Sequence, residues 1–372
     1  MYLENSEIPP ESYDSASVWG LDQLRTLHLE MGVQCNARCS MCFQTDFSPS
    51  NVMPESIWKE KLQLVYSTAR ELLIIGGEPT VLANCRQLLE MVMKDFPSLD
   101  LITATNGIRF NGLWEDAFLR QGKVVNFSVI AIDPVRYERI VKYGNQALVL
   151  ENLQHLIRRK RETGSKVAIR MNTVITDDTL DELSDFFEWG AIHGVDQVSL
   201  DPDCVGRVRR QPKEVQRHIA QTYEMAERHP QTVLLRLKDF DRMYALRHGI
   251  PPVKEGGNSG HASAPCGEAF HTLLVTSDGL AKPCCLSWYA YGNLRIHDVE
   301  AIWSGGAAQR FRQRIGRCDY RDCFIGCTYN PFPVGPYTSL FRHGLSAFRR
   351  NPRTAIKKIS HKLKRSLFCS LS

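Results

Sequence analysis

The sequence predicts an α/β chain, a partial (β/α)6 TIM-like barrel followed by a small cysteine-rich α+β module. Three observations carry this prediction. Strand-like apolar runs alternate with helical stretches of about 10–15 residues, the pattern of βαβ units on a parallel sheet. Six such strands are counted between Thr26 and Asp201, too few for a closed eight-stranded barrel but enough for a partial one. A group of six cysteines then follows at 266, 284, 285, 318, 323 and 327.

Taken in order, residues 1–22 read as a polar lead-in containing Pro9 and Pro10. Thr26–Val33 alternates as the first strand, and a cysteine loop follows at once. Ser56–Ala69 has helical spacing, and Glu71–Ile75 is an apolar strand that breaks into Gly76-Gly77-Glu78-Pro79-Thr80. Asn84–Phe96 is an amphipathic helix with Asn84 as its N-cap. Leu99–Ala104 is the third strand and closes in Thr105-Asn106-Gly107, a turn in which Asn-Gly takes positive φ.

Trp114–Arg120 is helical, Val124–Ile132 is the fourth strand, and Arg136–Lys160 is mostly helix with an interruption near Gly144. Lys166–Ile175 and Gln197–Asp201 are the last two strands, separated by a helix over Asp178–Trp189. Pro212–Arg228 leads out of the barrel as a polar helix with proline in its first turn, and Val233–Leu237 is strand-like. The Gly/Ser-rich Glu255–Ala264 reads as a linker. The domain boundaries expected are therefore 1–22, 23–254, 255–335 and a tail over 336–372.

Bulk properties narrow the function classes. A chain of 372 residues with 43% hydrophobic content can build a sizeable core, and roughly two domains are expected from its length. No run of 18 apolar residues occurs, so no transmembrane helix is expected. The acidic, polar start does not resemble a secretory signal, which points to a reducing cytoplasm. The net charge of +5 is uneven: nine Lys or Arg and no Asp or Glu lie between Cys323 and Ser372. Upstream, 37 basic residues face 41 acidic ones, so the tail carries the positive charge, and nucleic-acid or acidic-substrate binding is a minor reading of that tail. In the tail Ile356, Ile359, Leu363 and Leu367 share a helical face among basic residues, a pattern for peripheral contact with an anionic membrane; a solvated tail is the alternative.

Chemistry concentrates in the stretch Glu30–Phe43, where Cys35, Cys39 and Cys42 are spaced C-x3-C-x2-C. Thiolates this close meet at one centre only if the backbone wraps around it. Three ligands on a cubane cluster leave the fourth iron open to another molecule, whereas an electron carrier normally uses four. Zinc would need a fourth protein ligand, and three free core thiols are the plainest alternative. The spacing resembles that of the radical S-adenosylmethionine (SAM) superfamily. That resemblance implies that these cysteines hold a [4Fe–4S] cluster, that SAM chelates its open iron, and that a (β/α)6 partial barrel carries them. One departure is Met41, where the family often has an aromatic residue.

Gly76-Gly77-Glu78 follows the second strand, 34 residues after the cysteine loop. Two glycines let the backbone approach a ligand, and a carboxylate beside them can accept from an ammonium. The resemblance assigns Gly76, Gly77 and Glu78 to the amino group of SAM. The fourth strand ends at Asp133, a candidate ligand contact or N-cap, and a second departure places Ala131 where relatives have serine. Arg170 and Asn172 share one face of the fifth strand and are candidate cofactor-lining residues.

The later cysteines resemble the SPASM/twitch extension of radical SAM enzymes, which carries auxiliary iron–sulfur clusters. The hairpin from Phe270 to Cys284 brings its ends together, and an amphipathic helix over Asp298–Arg314 with Trp303 facing inward precedes Cys318, Cys323 and Cys327. A twitch-like form with one auxiliary [4Fe–4S] cluster is expected on Cys266, Cys284, Cys323 and Cys327, with Cys318 or Cys285 as substitutes, and zinc as the other metal. Cys85 and Cys204 read as core thiols.

The activity implied is reductive cleavage of SAM to a 5′-deoxyadenosyl radical and hydrogen abstraction from substrate. A reductant such as flavodoxin or ferredoxin is implied as partner. Oxidation of a small hydroxylated metabolite of sugar or cyclitol type is the first expectation, since no recognition domain for a peptide is apparent. Maturation of a ribosomally made peptide is the second, and a non-catalytic iron–sulfur or zinc scaffold the third.

Overall fold

The computed structural model describes residues 19–203, 206–254, 265–323 and 327. The first eighteen residues, Cys204, the expected linker at 255–264 and the basic tail lie outside the described residues.

The barrel strands are β1 (Thr26–Glu30), β3 (Glu71–Ile75), β4 (Asp100–Thr105), β5 (Gly122–Ser128), β7 (Ala168–Ile175) and β8 (Gln197–Pro202), the six expected from the sequence. Two short segments, β2 (Arg38–Cys39) and β6 (Val141–Lys142), pair antiparallel as a separate ribbon. The six barrel strands pair in chain order and all in parallel. A seventh, β9 (Val233–Leu235), adds in parallel to β8.

The opposite edge is not free. β10 (Thr272–Val275), the first strand of the expected hairpin, pairs in parallel with β1, and β11 (Leu280–Lys282) and β12 (Gly292–Asn293) follow antiparallel. One sheet of ten strands thus runs through both expected modules. Its end strands, β12 and β9, do not pair with each other among the described residues, so the barrel stays open.

Helices follow the strands with corrections at their ends. Ser56–Ala69 is not one helix but a wide π-type turn over Ser56–Lys61 and then α1 (Gln63–Thr68). α2 (Ala83–Asp95) begins one residue before Asn84, which is therefore not the cap; its amide reaches Met31 O at 2.8 Å. α3 (Leu113–Gln121) precedes β5, and the interruption near Gly144 separates α4 (Pro134–Ile140) from α5 (Gln146–Thr163). Asn145 caps α5 by accepting from Leu148 N at 3.1 Å, and Gly164 ends it in the left-handed region.

α6 (Leu183–His193), α7 (Pro212–Arg228) and α8 (Leu237–His248) complete the outer layer. α9 (Glu268–His271) leads into β10. The helix expected over Asp298–Arg314 is broken into α10 (Val299–Trp303) and α11 (Gly306–Gly316) because Ser304-Gly305 interrupts it. Trp303 is fully buried, as expected, and its indole donates to Gly20 O at 2.8 Å.

Strand alternation sorts the core into two compartments. Leu27, Leu29, Leu72, Ile74, Val125, Phe127, Ile169, Met171, Val198 and Leu200 face the helices and join the main core. The opposite face looks into the barrel lumen. Leu73, Ile102 and Val124 form a small apolar floor there, flanked by Ile75 and Ala168. In register with these, the lumen face of the later strands turns polar: Asn126 lies beside Arg170, Asn172 beside Ser199, and Val174 beside Asp201.

His28 occupies this lumen face on β1, 6% exposed, with no partner for its Nε2. Burial pushes its imidazole down from 6.5 to about 3. The unfolded chain therefore takes up a proton that the folded chain refuses, and stability falls as pH drops from about 6.5 toward 3, by up to about 1.4 kcal/mol per unit. Urea midpoints between pH 7 and 5 should show this slope in the wild type and a shallower one in His28→Leu. Parallel slopes would show that His28 protonates freely in the folded state.

Candidate functional site

The cysteine loop leaves β1 at Met31 and is held by the loop that leaves β3. Met31 N donates to Ile75 O, Gly77 N to Gly32 O and Glu78 N to Gln34 O, each at 2.9 Å. A Cβ on Gly76 would come 2.5 Å from Gly32 O, and one on Gly77 would collide with the carbonyls of Gln34 and Val33. The glycines are therefore required first for backbone to meet backbone, a use that precedes any ligand contact.

Glu78 also takes a task the sequence pattern does not give it. It is 1% exposed, and its carboxylate accepts from Thr80 N at 3.1 Å, Thr80 Oγ1 at 2.6 Å, Thr105 Oγ1 at 2.7 Å and Asn106 N at 2.6 Å. Burial raises its pKa, and these hydrogen bonds oppose the rise. The side chain is thus a strut between the second and third strand ends, replacing the reading of a carboxylate open to an ammonium. Asn106 then reaches the cysteine loop, donating to Asn36 Oδ1 at 2.7 Å and lying 4.0 Å from Cys35 Sγ.

The loop carries three thiols, Cys35 and Cys39 half-buried and Cys42 exposed. Burial pushes the Cys39 thiol up to about 12, and the proximity of Cys42, Cys35 and Glu78 adds to the rise. Cys35 is raised by burial too, with Glu78 and Cys42 contributing. Each thiol feels the charge of the others, and a bound cationic iron core would relieve that repulsion. Ala37 N and Gln44 N lie 3.4 Å from Cys35 Sγ and Cys42 Sγ, donors that suit thiolates carrying negative charge. The donor set fits a three-thiolate iron site.

The far wall of the loop is apolar. Met41 and Ala131, the two departures from the family pattern, fall in one cluster with Ala37, Ile130, Tyr137, Ile140 and Val141, packed against Cys35 and Cys39. Ile130 holds φ at +69°, a strained conformation for a β-branched residue. β7 sustains it: Ile130 N donates to Asn172 O at 3.2 Å, and Thr173 Oγ1 donates to Ile130 O at 2.6 Å.

Of the other candidates, Asp133 is exposed and accepts from Arg136 N at 2.7 Å, so it caps α4 rather than facing the loop. The carboxylate at that strand end missed from sequence is Glu182, 7% exposed, whose Oε1 accepts from Ile132 N at 2.7 Å and Asp133 N at 2.5 Å. Arg170 is buried on the lumen face and donates to Gln197 Oε1 at 2.8 and 2.6 Å. Asn172 donates to Asp201 Oδ2 at 3.0 Å, and Ser199 Oγ donates to Asp201 Oδ1 at 2.8 Å. Arg207 was also missed; its guanidinium donates to Met41 O at 2.9 Å and ties the chain after β8 to the cysteine loop.

The second cysteine group converges as well. Cys266, Cys284, Cys323 and Cys327 line one cavity with Glu268, Ala269, Leu286, Phe311, Ile315 and Tyr320. Burial pushes the Cys266 and Cys284 thiols well up, and each feels the other cysteines. Cys323 is pushed up to about 12 by burial and by Cys327. Cys318, at φ +55°, is not among the lining residues, and Cys285 is exposed, so neither substitute is drawn in. Four thiols lining one cavity, Cys327 buried and the other three half-buried, suit a soft, four-ligand metal centre. Cys85 is a fully buried core thiol, as expected.

The topology places the two groups apart. Cys266 precedes the N-terminal end of β10, and Cys35 lies beyond the C-terminal end of the parallel strand β1, with Thr26 opposite Thr272. They lie toward opposite ends of the sheet.

Comparison with known proteins agrees with this arrangement. Residues 29–190 match the model of the radical SAM superfamily, and residues 266–328 match an iron–sulfur cluster-binding domain, SPASM. A GTP 3′,8-cyclase of Alkaliphilus oremlandii is 24% identical over 279 residues, covering 72% of this chain and 81% of that protein. One from Tolumonas auensis is 27% identical over 171 residues, covering 44% of this chain and 48% of that protein. Among solved structures, Streptococcus suis SuiB bound to the precursor peptide SuiA aligns with a TM-score of 0.61 at 14% identity, covering 86% of this chain and 73% of that one. The anSMEcpe enzyme with bound AdoMet aligns at 0.58 and 17% identity, covering 90% and 96%. Both likenesses are of fold.

Because Gly77 touches the cysteine loop directly, Gly77→Ala should displace Val33–Cys35. Reconstituted iron at the three-cysteine site should drop severalfold while far-ultraviolet circular dichroism holds. Full iron loading in that variant would mean the loop accommodates the methyl group.

Proposed function

We propose that this chain, a radical SAM enzyme with a C-terminal SPASM iron–sulfur domain, oxidises a small hydroxylated substrate of sugar or cyclitol type held in its barrel lumen. In this reading Cys35, Cys39 and Cys42 hold the [4Fe–4S] cluster that leaves one iron for SAM. Cys266, Cys284, Cys323 and Cys327 hold a single auxiliary cluster. When bound, the first cluster and SAM supply a 5′-deoxyadenosyl radical that takes a hydrogen atom from an unactivated C–H bond. The chain's own residues do the rest.

Gly76 and Gly77 keep the SAM-side loop against the cysteine loop, and Glu78 fixes both to Thr105 and Asn106. The apolar floor of Leu73, Ile102 and Val124 excludes water from one part of the lumen. On the other part, Asn126 and Asn172 are 5% and 8% exposed, and the Oδ1 of each lacks a partner. This is the observation that carries the substrate class. A buried acceptor without a donor is costly, and hydroxyl groups of a bound substrate would satisfy both. Asp201 takes the Asn172 amide nitrogen, which leaves the carbonyl oxygen for the ligand.

The placement of the auxiliary cysteines toward the far end of the sheet supports their role as the exit for the second electron. A cytoplasmic reductant of flavodoxin or ferredoxin type would supply the first. The ribose of a nucleotide is a hydroxylated ring of the same kind, in keeping with the GTP 3′,8-cyclase relatives. Maturation of a peptide is the second reading, supported by the fold shared with SuiB, which was solved with its precursor peptide.

Anaerobic reconstitution should give about eight iron atoms per chain, falling to about four in a Cys266→Ala/Cys284→Ala variant. With SAM and dithionite, 5′-deoxyadenosine should form. A panel of deuterated cyclitols, sugars and nucleosides should include a compound that raises its rate and transfers deuterium to it, and Asn172→Leu should abolish that stimulation. Stimulation by peptides alone would replace this reading with the second, and no 5′-deoxyadenosine at all would end both.

A further inference from the structure

We propose that Arg312 is the counter-charge of the auxiliary iron–sulfur cluster and raises that cluster's reduction potential. The proposal rests on the assignment of Cys266, Cys284, Cys323 and Cys327 as ligands. Arg312 lies on α11 and is 2% exposed. Its Nε donates to Ala269 O at 3.1 Å and one Nη to Trp303 O at 2.8 Å, while the other Nη is buried without a partner. Among the described residues no carboxylate pairs with it. Its surroundings are aromatic: the guanidinium carbon lies 4.1 Å from the Trp303 ring centre and 5.7 Å from those of Trp19 and Tyr291.

An unpaired buried cation is among the costliest groups a core can hold, and cation–π contacts offset only part of that cost. Burial lowers its pKa to about 10, which still leaves it charged at neutral pH. A missing negative charge is thus expected nearby.

The cysteine cavity lies directly behind the same wall. Ala269, whose carbonyl Arg312 holds, lines that cavity, as do Phe311 and Ile315, which flank Arg312 on α11. Tyr291 also reaches Ala269 O, at 3.3 Å, and feels both the Arg312 charge and those of Cys284, Cys266 and Cys323. Glu268 lines the cavity too, and its side chain bonds Thr272 rather than Arg312.

Four thiolates on a cubane core leave a net negative charge, and reduction adds one electron to it. A fixed cation across a dry wall stabilises the reduced form more than the oxidised form, because the low dielectric preserves the interaction. The midpoint moves up.

The test uses the full chain with Cys35, Cys39 and Cys42 changed to Ala, so that one cluster remains, titrated anaerobically and followed by electron paramagnetic resonance. Arg312→Met should load about four iron atoms. At a fixed poise it should show at least a tenfold lower reduced-to-oxidised ratio, a shift of about 59 mV for one electron. Arg312→Gln, which keeps a donor for Ala269 O, should shift likewise and guards against a folding defect in the first variant. Arg312→Lys should restore most of the potential. A loaded cluster with an unmoved midpoint in both neutral variants would overturn the proposal alone. Absence of iron from the parent chain would overturn the ligand assignment, and this proposal with it.

Discussion

Backbone meeting backbone between two loops is the constraint on which the rest depends. The segment Gly32–Gln34 and the segment Gly76–Glu78 leave neighbouring strands and bond to each other through main-chain groups, at a separation that admits no side chain. Glu78 then ties this pair to the end of the next strand through Thr105 and Asn106. Three strand ends are locked together by these main-chain bonds and one buried carboxylate. Four donors offset part of the desolvation cost of this buried carboxylate, whose pKa burial still raises. The cysteine loop inherits the rigidity of the sheet through this lock, and that rigidity is what a three-ligand site needs to leave its fourth position open.

The same loop is held from its other side by packing and strain. Ile130 keeps a left-handed conformation only because Asn172 O and Thr173 Oγ1 bond its two backbone groups. That twist carries Ile130 and Ala131 onto Cys35 and Cys39, where Met41 fills the remaining space. Met41 and Ala131 are thus neighbours in one apolar cluster and can be understood together: a flexible thioether beside a methyl group leaves no unsatisfied hydroxyl. Asn172 serves both sides, with its backbone carbonyl on the strained turn and its side chain in the lumen.

Much of this was legible in the sequence, and the exceptions have physical reasons. Strand positions came from alternation and apolar runs, which report the sheet faces directly, and all six barrel strands occur where they were read. The four cysteines that line one cavity are those the SPASM/twitch resemblance implied, with the hairpin accounting only for Cys266 and Cys284. The pairing of β10 with β1 was not legible, because parallel neighbours distant in sequence leave no local pattern. The structural role of Glu78 was not legible, and Asp133 stayed open between ligand contact and N-cap, for a related reason. A carboxylate looks the same in sequence whether its donors come from a ligand or from the protein, and Thr105, Asn106 and Arg136 decide the matter only in three dimensions. Glu182 and Arg207 act from other elements and gave no motif at all.

The pairing of β10 with β1 has a functional consequence. Because the strands are parallel and in register, the residue leading into β10 and the loop leaving β1 must lie at opposite ends of the sheet. A strand of five residues spans about 17 Å, so the two cysteine sites are separated by the depth of the sheet and joined by a rigid ladder. The hairpin turn reinforces the ladder at the upper end, where Ser277 Oγ donates to Glu30 Oε1 at 3.1 Å and bonds Asn51 Oδ1 at 2.9 Å. The polar residues of the lumen lie on β5, β7 and β8, across from the apolar floor on β3 and β4. The lumen is thus two-sided, with one apolar wall and one polar wall.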